Sequence, residues 1–216
     1  MLKVLTRRDA TNPLFDQMFR ARAIVLRDRL GWSLNVVDGM EIDYYDTQAD
    51  PIYLVTLDDC GFSTGSLRLL RANGQCMLDN EFRDFFDPPV EIQSPLAWEC
   101  TRFCVHPTVP PGAAHAVAVE LLAGLCDLAL RSRIDRIVGV YDAAMSRVYR
   151  RIGWSPVVLA RSRAEVGHLY AGRWMVSPQV SHDLQQRVRK AQLARGDALS
   201  NRPVPDDRPA LGGLTP

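Results

Sequence analysis

The spacing of apolar residues changes several times along the chain, and each change marks an element. From Pro13 to Leu30, Leu14, Met18, Ala21, Val25 and Leu26 recur at helical spacing, so this stretch is expected to be a helix. Gly31 ends it. Asp38 to Asp46 follows as a loop dense in acids and aromatics. Ile52–Leu57 and Ser66–Arg71 read as the two strands of a hairpin turning at Asp58-Asp59-Cys60-Gly61. Asn80–Phe86 reads as a short amphipathic helix stopped by Pro88-Pro89. Trp98–Val105 reads as a strand with polar residues inside it: Glu99, Thr101 and Arg102.

The second half is more regular. After a Pro/Gly loop, Pro107–Ala114, the best helical pattern of the chain runs from Ala116 to Arg131. Val119, Leu122, Ala123, Cys126 and Leu130 share one side of it. Arg136–Tyr141 is a strand, Ala144–Arg151 a helix closed by Gly153, and Pro156–Leu159 and His168–Val176 are strands. Val180–Arg195 is a polar helix. From Gly196 the Pro/Gly/Asp-rich sequence reads as a disordered tail. The expected organisation is one domain over residues 1–195 with a tail over 196–216. Strand–helix–strand in the middle implies a parallel crossover, and the hairpin before it implies antiparallel neighbours. The fold class is α/β with a mixed sheet, whose binding sites gather at the carboxyl ends of parallel strands.

Composition narrows the function. A hydrophobic share of 47% and a charged share of 24% suit a globular core and exclude a disordered, collagen-like or coiled-coil chain. The net charge of +1 gives no field favouring nucleic acid or an anionic membrane. No apolar run reads as long enough to span a bilayer, and the N-terminus lacks the order of a signal peptide, so the expected compartment is the cytoplasm. All basic residues except Lys3 and Lys190 are arginines. The five cysteines, Cys60, Cys76, Cys100, Cys104 and Cys126, include no CxxC and read as small buried hydrophobes. In a strand, the spacing of Cys100 and Cys104 puts both on one face.

Four groups of residues carry candidate chemistry. Arg22 and Trp32 are either a surface arginine and a core tryptophan or a wall for a cationic or aromatic ligand. Asp43 and Asp46 are either solvated acids or an anionic lip for a positively charged amine or sulfonium ligand. Arg68 lies mid-strand among leucines. Unpaired, it would cost several kcal/mol, so it should have a carboxylate partner. In Trp98–Phe103, the period of two places Glu99 and Thr101 on one face and Cys100 and Arg102 on the other. A carboxylate in so apolar a strand should have a raised pKa, which suits a general base acting on an amine. The alternative is a structural pair between Glu99 and Arg68 or Arg102.

Taken in order, Arg22, Asp28-Arg29-Leu30-Gly31-Trp32, Gly39-Met40-Glu41-Ile42-Asp43-Tyr44-Tyr45-Asp46, Gly65-Ser66-Leu67-Arg68-Leu69 and Glu99-Cys100-Thr101-Arg102-Phe103-Cys104-Val105 resemble the LuxI-type N-acyl-homoserine-lactone synthases. The match runs from Arg22 to Val105 and more loosely to Met175. The resemblance implies a GNAT-like acyltransferase fold, three-layered αβα, with a twisted mixed sheet split by a V-shaped cleft. It implies acyl transfer from an acyl carrier protein, or from coenzyme A, to the amine of S-adenosylmethionine. Closure of the lactone then releases methylthioadenosine. No cofactor or metal is implied, since S-adenosylmethionine is a substrate.

By the same resemblance, Glu99, Arg102 and Arg68 are the catalytic group. Arg22, Leu26, Trp32, Asp43, Asp46, Phe82 and Arg102 are the S-adenosylmethionine site. Leu26 departs from the family's usual aromatic there. Thr101, Phe103, Leu122, Cys126, Val138, Gly139, Val140, Met145 and Tyr149 are expected to line the acyl pocket. Gly139 lies where makers of 3-oxo products carry a hydroxyl, which points to a 3-unsubstituted chain. The loop Val109–Ala114 lacks the pyrophosphate-binding pattern of coenzyme A users and tilts the donor towards an acyl carrier protein. Arg147, Arg150 and Arg151 on one helix are its expected docking patch, against the bland alternative of a solvated helix face. Two competing functions remain: a GNAT-type N-acyltransferase for a different amine, and a non-catalytic sensor on the same fold.

Overall fold

The computed structural model describes residues 1–200 apart from Ala10 and Gly74, with side chains as far as Leu193. A seven-stranded sheet in the order β1-β4-β5-β6-β7-β9-β8 organises it. The strands are β1 (Leu2–Thr6), β4 (Ile52–Leu57), β5 (Ser63–Arg71), β6 (Ala97–Val105), β7 (Arg136–Asp142), β8 (Val157–Arg161) and β9 (Leu169–Met175). Only β6 and β7 are parallel. Their pairing covers Ala97–Glu99 against Arg136–Val138 and then stops, so the strands part beyond Glu99 and a V-shaped cleft opens towards their carboxyl ends.

Helices cover both faces. On one face lies α3 (Pro111–Arg131), backed by α5 (Pro178–Ser200) and accompanied by α4 (Ala143–Ile152). Alternation along β4 and β5 sends Leu54, Leu67 and Leu69 into this larger core, with Leu121, Leu125 and Trp174. On the other face α1 (Leu14–Arg22) lays Leu14, Phe15, Met18 and Phe19 against Tyr53, Val55 and Leu57. A π-helical turn, Ala23–Arg29, extends α1 to Leu30, whose N–H bonds Val25 O at 3.0 Å. The expected single helix is therefore continuous but changes winding after Arg22. A small ribbon, β2 (Val36–Val37) with β3 (Met40–Glu41), leads into α2 (Tyr44–Thr47).

Several boundaries differ from expectation for identifiable reasons. β1 is an edge strand with only Leu5 buried, which leaves no alternation to read. α3 starts within the expected loop because Pro111 occupies its first turn, where a missing N–H costs nothing. The full 21 residues of α3 are long and apolar enough by length and composition to cross a bilayer. This corrects the expectation that no apolar run is that long. The helix spends that apolar surface against the sheet and α5.

Asn80–Phe86 is not an amphipathic helix but turns and one 3-10 turn, Arg83–Phe85. Only Phe86 of this stretch is fully buried, so no helical face is available to pack. α5 passes the expected stop at Arg195 and reaches Ser200. The rest of the expected tail lies outside the described residues. Cys60 is exposed in the hairpin turn rather than buried.

A bulge in β6 overturns two readings of its faces. β5 advances two residues from Ser66 to Arg68 while β6 advances three, from Cys104 to Thr101. Arg102 takes φ 52° at the extra position. The period of two therefore breaks. Arg102 joins Glu99 and Thr101 instead of opposing them. Cys100 packs into the α3-side core and Cys104 against Val25 and Leu26 on the opposite face.

Candidate active site

The centre of the α1 face is charged and almost dry. Arg22, at the end of α1, is 1% exposed. Its Nε donates to Glu41 Oε2 at 2.6 Å and its two terminal nitrogens grip Asp46 at 3.1 and 2.9 Å. Arg68, mid-strand in β5, donates to Thr101 Oγ1 at 3.0 Å and holds both oxygens of Asp43 at 2.5 and 2.8 Å. It also meets Asp46 at 2.9 Å. Arg102, turned inward by the bulge, reaches Glu41 at 3.0 Å and Asp43 at 2.9 Å. Three arginines thus interlock with three carboxylates, each acid touching two arginines. Burying such charges is tolerable only because nearly every donor and acceptor is matched.

Local sequence explains how the acids arrive there. Asp43 is the N-cap of α2 and accepts from Asp46 N–H, while Asp46 accepts from Asp43 N–H, a reciprocal capping box. Asp-x-x-Asp therefore fixes both carboxylates on one short turn above β5. They are not a loose solvated lip: Asp46 is buried, and Asp43 keeps about a fifth of its side chain exposed (21%). Burial works against the Asp46 charge, but Arg22 and Arg68 hold its carboxyl well below the usual carboxylate range. Tyr53 OH donates to Asp46 Oδ1 at 2.7 Å. The rings of Phe19 and Tyr45 lie under Arg22 and Arg68 at 5.2 and 5.5 Å.

Glu99 stands beside this network without joining it. Neither Arg68 nor Arg102 hydrogen-bonds it, so the structural Glu–Arg pair does not form. Its Oε2 accepts from Met77 N–H at 2.7 Å, and its Oε1 is buried with no partner among the described residues. Burial pushes its carboxyl up to about 8, only partly offset by the Met77 N–H and the Arg68 charge. A neutral carboxyl with one unclaimed oxygen results, poised to gain or lose a proton near neutrality. Met77 Sδ lies 3.3 Å from Arg68 and 3.6 Å from Arg102.

The remaining expected residues divide. Leu26 is buried against Val25 and Cys104, behind Arg22. Trp32 follows the π-turn and is 43% exposed, with no bond to the network among the described residues, and Arg22 is buried, so the alternative of a surface arginine and a core tryptophan does not hold. Phe82 packs edge-on to Phe85 at 5.3 Å on the Glu99 face.

The acyl-pocket set does not line one wall. Phe103, Leu122, Met145, Tyr149 and Cys126 belong to the α3-side core. Val138 and Val140 face the other way, with Phe82. Thr101 is bonded to Arg68. Gly139 sits at the apex of the cleft, where a Cβ would come within 2.8 Å of Cys100 O. The cleft beyond Glu99 and Val138 joins the two faces, so residues of both can meet one chain threaded through it. Arg147, Arg150 and Arg151 are exposed on α4 and make no ion pair among the described residues. Sequence reasoning missed Glu41, Tyr53 and Met77. Glu41 had a readable signal, an acid two residues before Asp43 in a strand where it has to face inward.

This architecture is that of GNAT-like acyltransferases. An acyl-CoA N-acyltransferase from Pseudomonas aeruginosa superposes with a TM-score of 0.53 at 17% identity, covering 80% of this chain and 98% of its own. A coenzyme A-dependent acyl-homoserine lactone synthase, BjaI, solved with S-adenosylmethionine and isopentyl-CoA, superposes at 0.76 with 21% identity, covering 87% and 89%. An acyl-homoserine-lactone synthase of Rhizobium etli is 57% identical over 180 residues, 82% of this chain and 85% of that one. The autoinducer synthase family profile matches residues 6–177. The chain belongs to this family, the acyl-homoserine-lactone synthases.

Proposed function

We propose that the chain transfers an acyl group from an acyl carrier protein thioester to the amine of S-adenosylmethionine and closes the lactone with release of methylthioadenosine. One observation carries the reading: a buried Glu99 carboxyl with a free oxygen, set beside a charge-balanced cluster of arginines and acids. S-adenosylmethionine brings a sulfonium and an ammonium, which suit Asp43 and Asp46. It also brings a carboxylate, which suits the arginines. Glu99, ionised by loss of its own proton to solvent as the cationic substrate binds, takes the ammonium proton and frees the nitrogen pair to attack the thioester carbonyl. The amide bond forms as the C–S bond breaks, and the donor leaves as a thiol. The substrate carboxylate then attacks the carbon bearing the sulfonium, forming the ring C–O bond as methylthioadenosine departs. No other cofactor enters this balance. The ligand set is Arg22, Leu26, Trp32, Asp43, Asp46, Phe82 and Arg102, and the acyl chain runs through the β6–β7 cleft.

The start of α3 favours the carrier protein over coenzyme A. A helix N-terminus binds pyrophosphate through free N–H groups. Here Pro110 and Pro111 have none, and Ala113 N–H is already bonded to Pro110 O at 2.9 Å. The exposed arginines of α4 suit an acidic carrier instead. The coenzyme A-bound BjaI supports the second reading, a coenzyme A thioester donor. Both donors, each with S-adenosylmethionine, should be assayed for methylthioadenosine release, with the lactone identified by mass spectrometry. The reading requires release with the carrier thioester at the higher kcat/KM. Release with neither donor refutes it.

A further inference from the structure

A second site lies on the same face of the sheet, beyond the catalytic cluster. The loop Pro88–Ser94 arches over β7, β9 and β8 and leaves a cavity of about 450 Å³. That is within the range of small-molecule sites. Its walls are mostly apolar: Pro88, Val90, Ile92 and Leu159. Its charged floor is made by two arginines, Arg136 and Arg173. Arg173 pairs with Val138 across β7–β9, and Arg136 lies two residues along β7 from Val138, so both project from the face that carries Glu99. Two strand spacings separate Arg173 from Glu99, about 10 Å. Val138, buried, stands between Glu99 and Arg173 in the register of the sheet.

Arg173 is the unexplained group. Its Nε is buried and has no hydrogen-bond partner, and the side chain makes no ion pair among the described residues. An orphaned guanidinium donor is expensive, and folded proteins supply such groups with a partner. The nearby acids pair with other arginines, although after the Arg136 hydrogen bond the Arg173 charge also helps hold Asp135 below the ordinary carboxylate value. Glu91, on the cavity wall, is paired with Arg83 at 3.1 Å, and Asp135 is held by Arg136 at 2.5 and 2.9 Å. Arg173 is only half-buried, so an acceptor from outside the chain can reach its guanidinium. A planar guanidinium fits a carboxylate or phosphate best, and the apolar walls ask for a non-polar body behind that head.

We propose that this cavity binds a small organic oxyanion, a carboxylate or a phosphate monoester, its head on Arg173, with Arg136 adding only the donor that Asp135 leaves free, and its apolar body under the Pro88–Ser94 loop. The site is separate from the catalytic centre and does not depend on the reading of that centre. Isothermal titration and thermal unfolding of the full chain test it, with benzoate, phenyl phosphate and inorganic phosphate as probes. Benzoate or phenyl phosphate should bind saturably and raise the melting temperature, and which one binds tighter identifies the head group. Inorganic phosphate, lacking the body, should bind at least tenfold more weakly than the better probe.

Arg173→Met should lose at least tenfold in affinity while melting at or above the ligand-free wild type, because it removes an unsatisfied donor at little change in volume. Arg136→Gln, which leaves Arg173 in place, should weaken binding by a smaller factor and gives an independent reading. Methylthioadenosine should not compete. The proposal is overturned by dissociation constants above about 1 mM for both organic probes, by unchanged binding in Arg173→Met, by a fall in that variant's ligand-free melting temperature with no probe response in the wild type, or by displacement with methylthioadenosine.

Discussion

Glu99→Gln separates the two consequences of a buried carboxyl: it should abolish a base and relieve a strain on stability. The Gln side chain keeps the shape of the neutral acid and an oxygen for Met77 N–H, and cannot accept a catalytic proton. In the folded chain Glu99 titrates at about 8, against an ordinary value of 4.5. The folded state thus holds its proton more tightly than the unfolded state. Wild-type stability is therefore undiminished by this group below pH 4.5 and declines as pH rises towards 8. The full span corresponds to about 5 kcal/mol, at about 1.4 kcal/mol per tenfold. The variant has no such group and escapes the decline.

Urea unfolding of both proteins between pH 5 and pH 8.5 measures the difference, since every other titrating group is common to the two. The variant should match the wild type within about 1 kcal/mol near pH 5 and exceed it by several kcal/mol at pH 8.5. Acyl transfer should fall by about 10²–10⁴-fold across the same range. A stability difference that does not change with pH would falsify the buried neutral carboxyl. Near-normal turnover would remove Glu99 from the role of base even if the stability result held.

Asp46→Asn should destabilise by about 3–5 kcal/mol in urea unfolding, because it strands Arg22 beside an amide in a dry site. A loss below 1 kcal/mol would mean the cluster is solvated. Gly139→Ala should cost about 1–3 kcal/mol, since its Cβ meets Cys100 O at 2.8 Å. It should also change the acyl chain preferred in product analysis, and an unaltered product profile would place the chain elsewhere. Charge reversal at Arg147 and Arg151 should raise KM for an acyl carrier protein thioester, as should added salt on the wild type, with little effect on acyl-pantetheine. Equal effects on both donors would make α4 a solvated face.

Elements with strong periodicity were legible in the sequence: the hairpin, β6, α3, α4 and their order. The parallel crossover followed from that order. The site was legible as a set of residues because ion pairs constrain composition: an arginine among leucines at position 68 demanded an acid, and Asp43 and Asp46 supply it. Orientation was not legible. The bulge that turns Arg102 inward depends on the register between β5 and β6, a long-range property with no local period. Its one trace is the adjacent polar pair Thr101-Arg102 between apolar Cys100 and Phe103. Glu41 had one local signal, its place two residues before Asp43, and a two-residue strand offers no longer period to strengthen it. The sheet's division of the acyl residues was readable in principle. Val138 and Val140 alternate with Gly139, and one wall cannot contain all three.

The balance of charge at the site leads to one more measurement. Arg22, Arg68 and Arg102 cancel Glu41, Asp43 and Asp46, and Glu99 is mostly neutral at pH 7, so the empty site is close to neutral. S-adenosylmethionine, with a sulfonium, an ammonium and one carboxylate, carries a net positive charge. A cation placed against Glu99 favours its ionised form, and ionisation gives the site the single negative charge the ligand lacks. Binding should therefore expel the Glu99 proton before any thioester arrives. A group titrating at about 8 is about nine-tenths protonated at pH 7, so up to about 0.9 proton should leave per ligand bound. Titration of S-adenosylmethionine without a thioester, at pH 7 in buffers of different ionisation enthalpy, reads that number from the slope of observed enthalpy. Affinity should rise with pH from 6 to about 7.5, below the range in which the ligand's own amine loses its charge. Glu99→Gln should bind without proton release and without that pH dependence. A wild type that releases no proton, or a variant that releases as many, would disconnect Glu99 from the ligand's charge and leave the base to be sought elsewhere in the cluster.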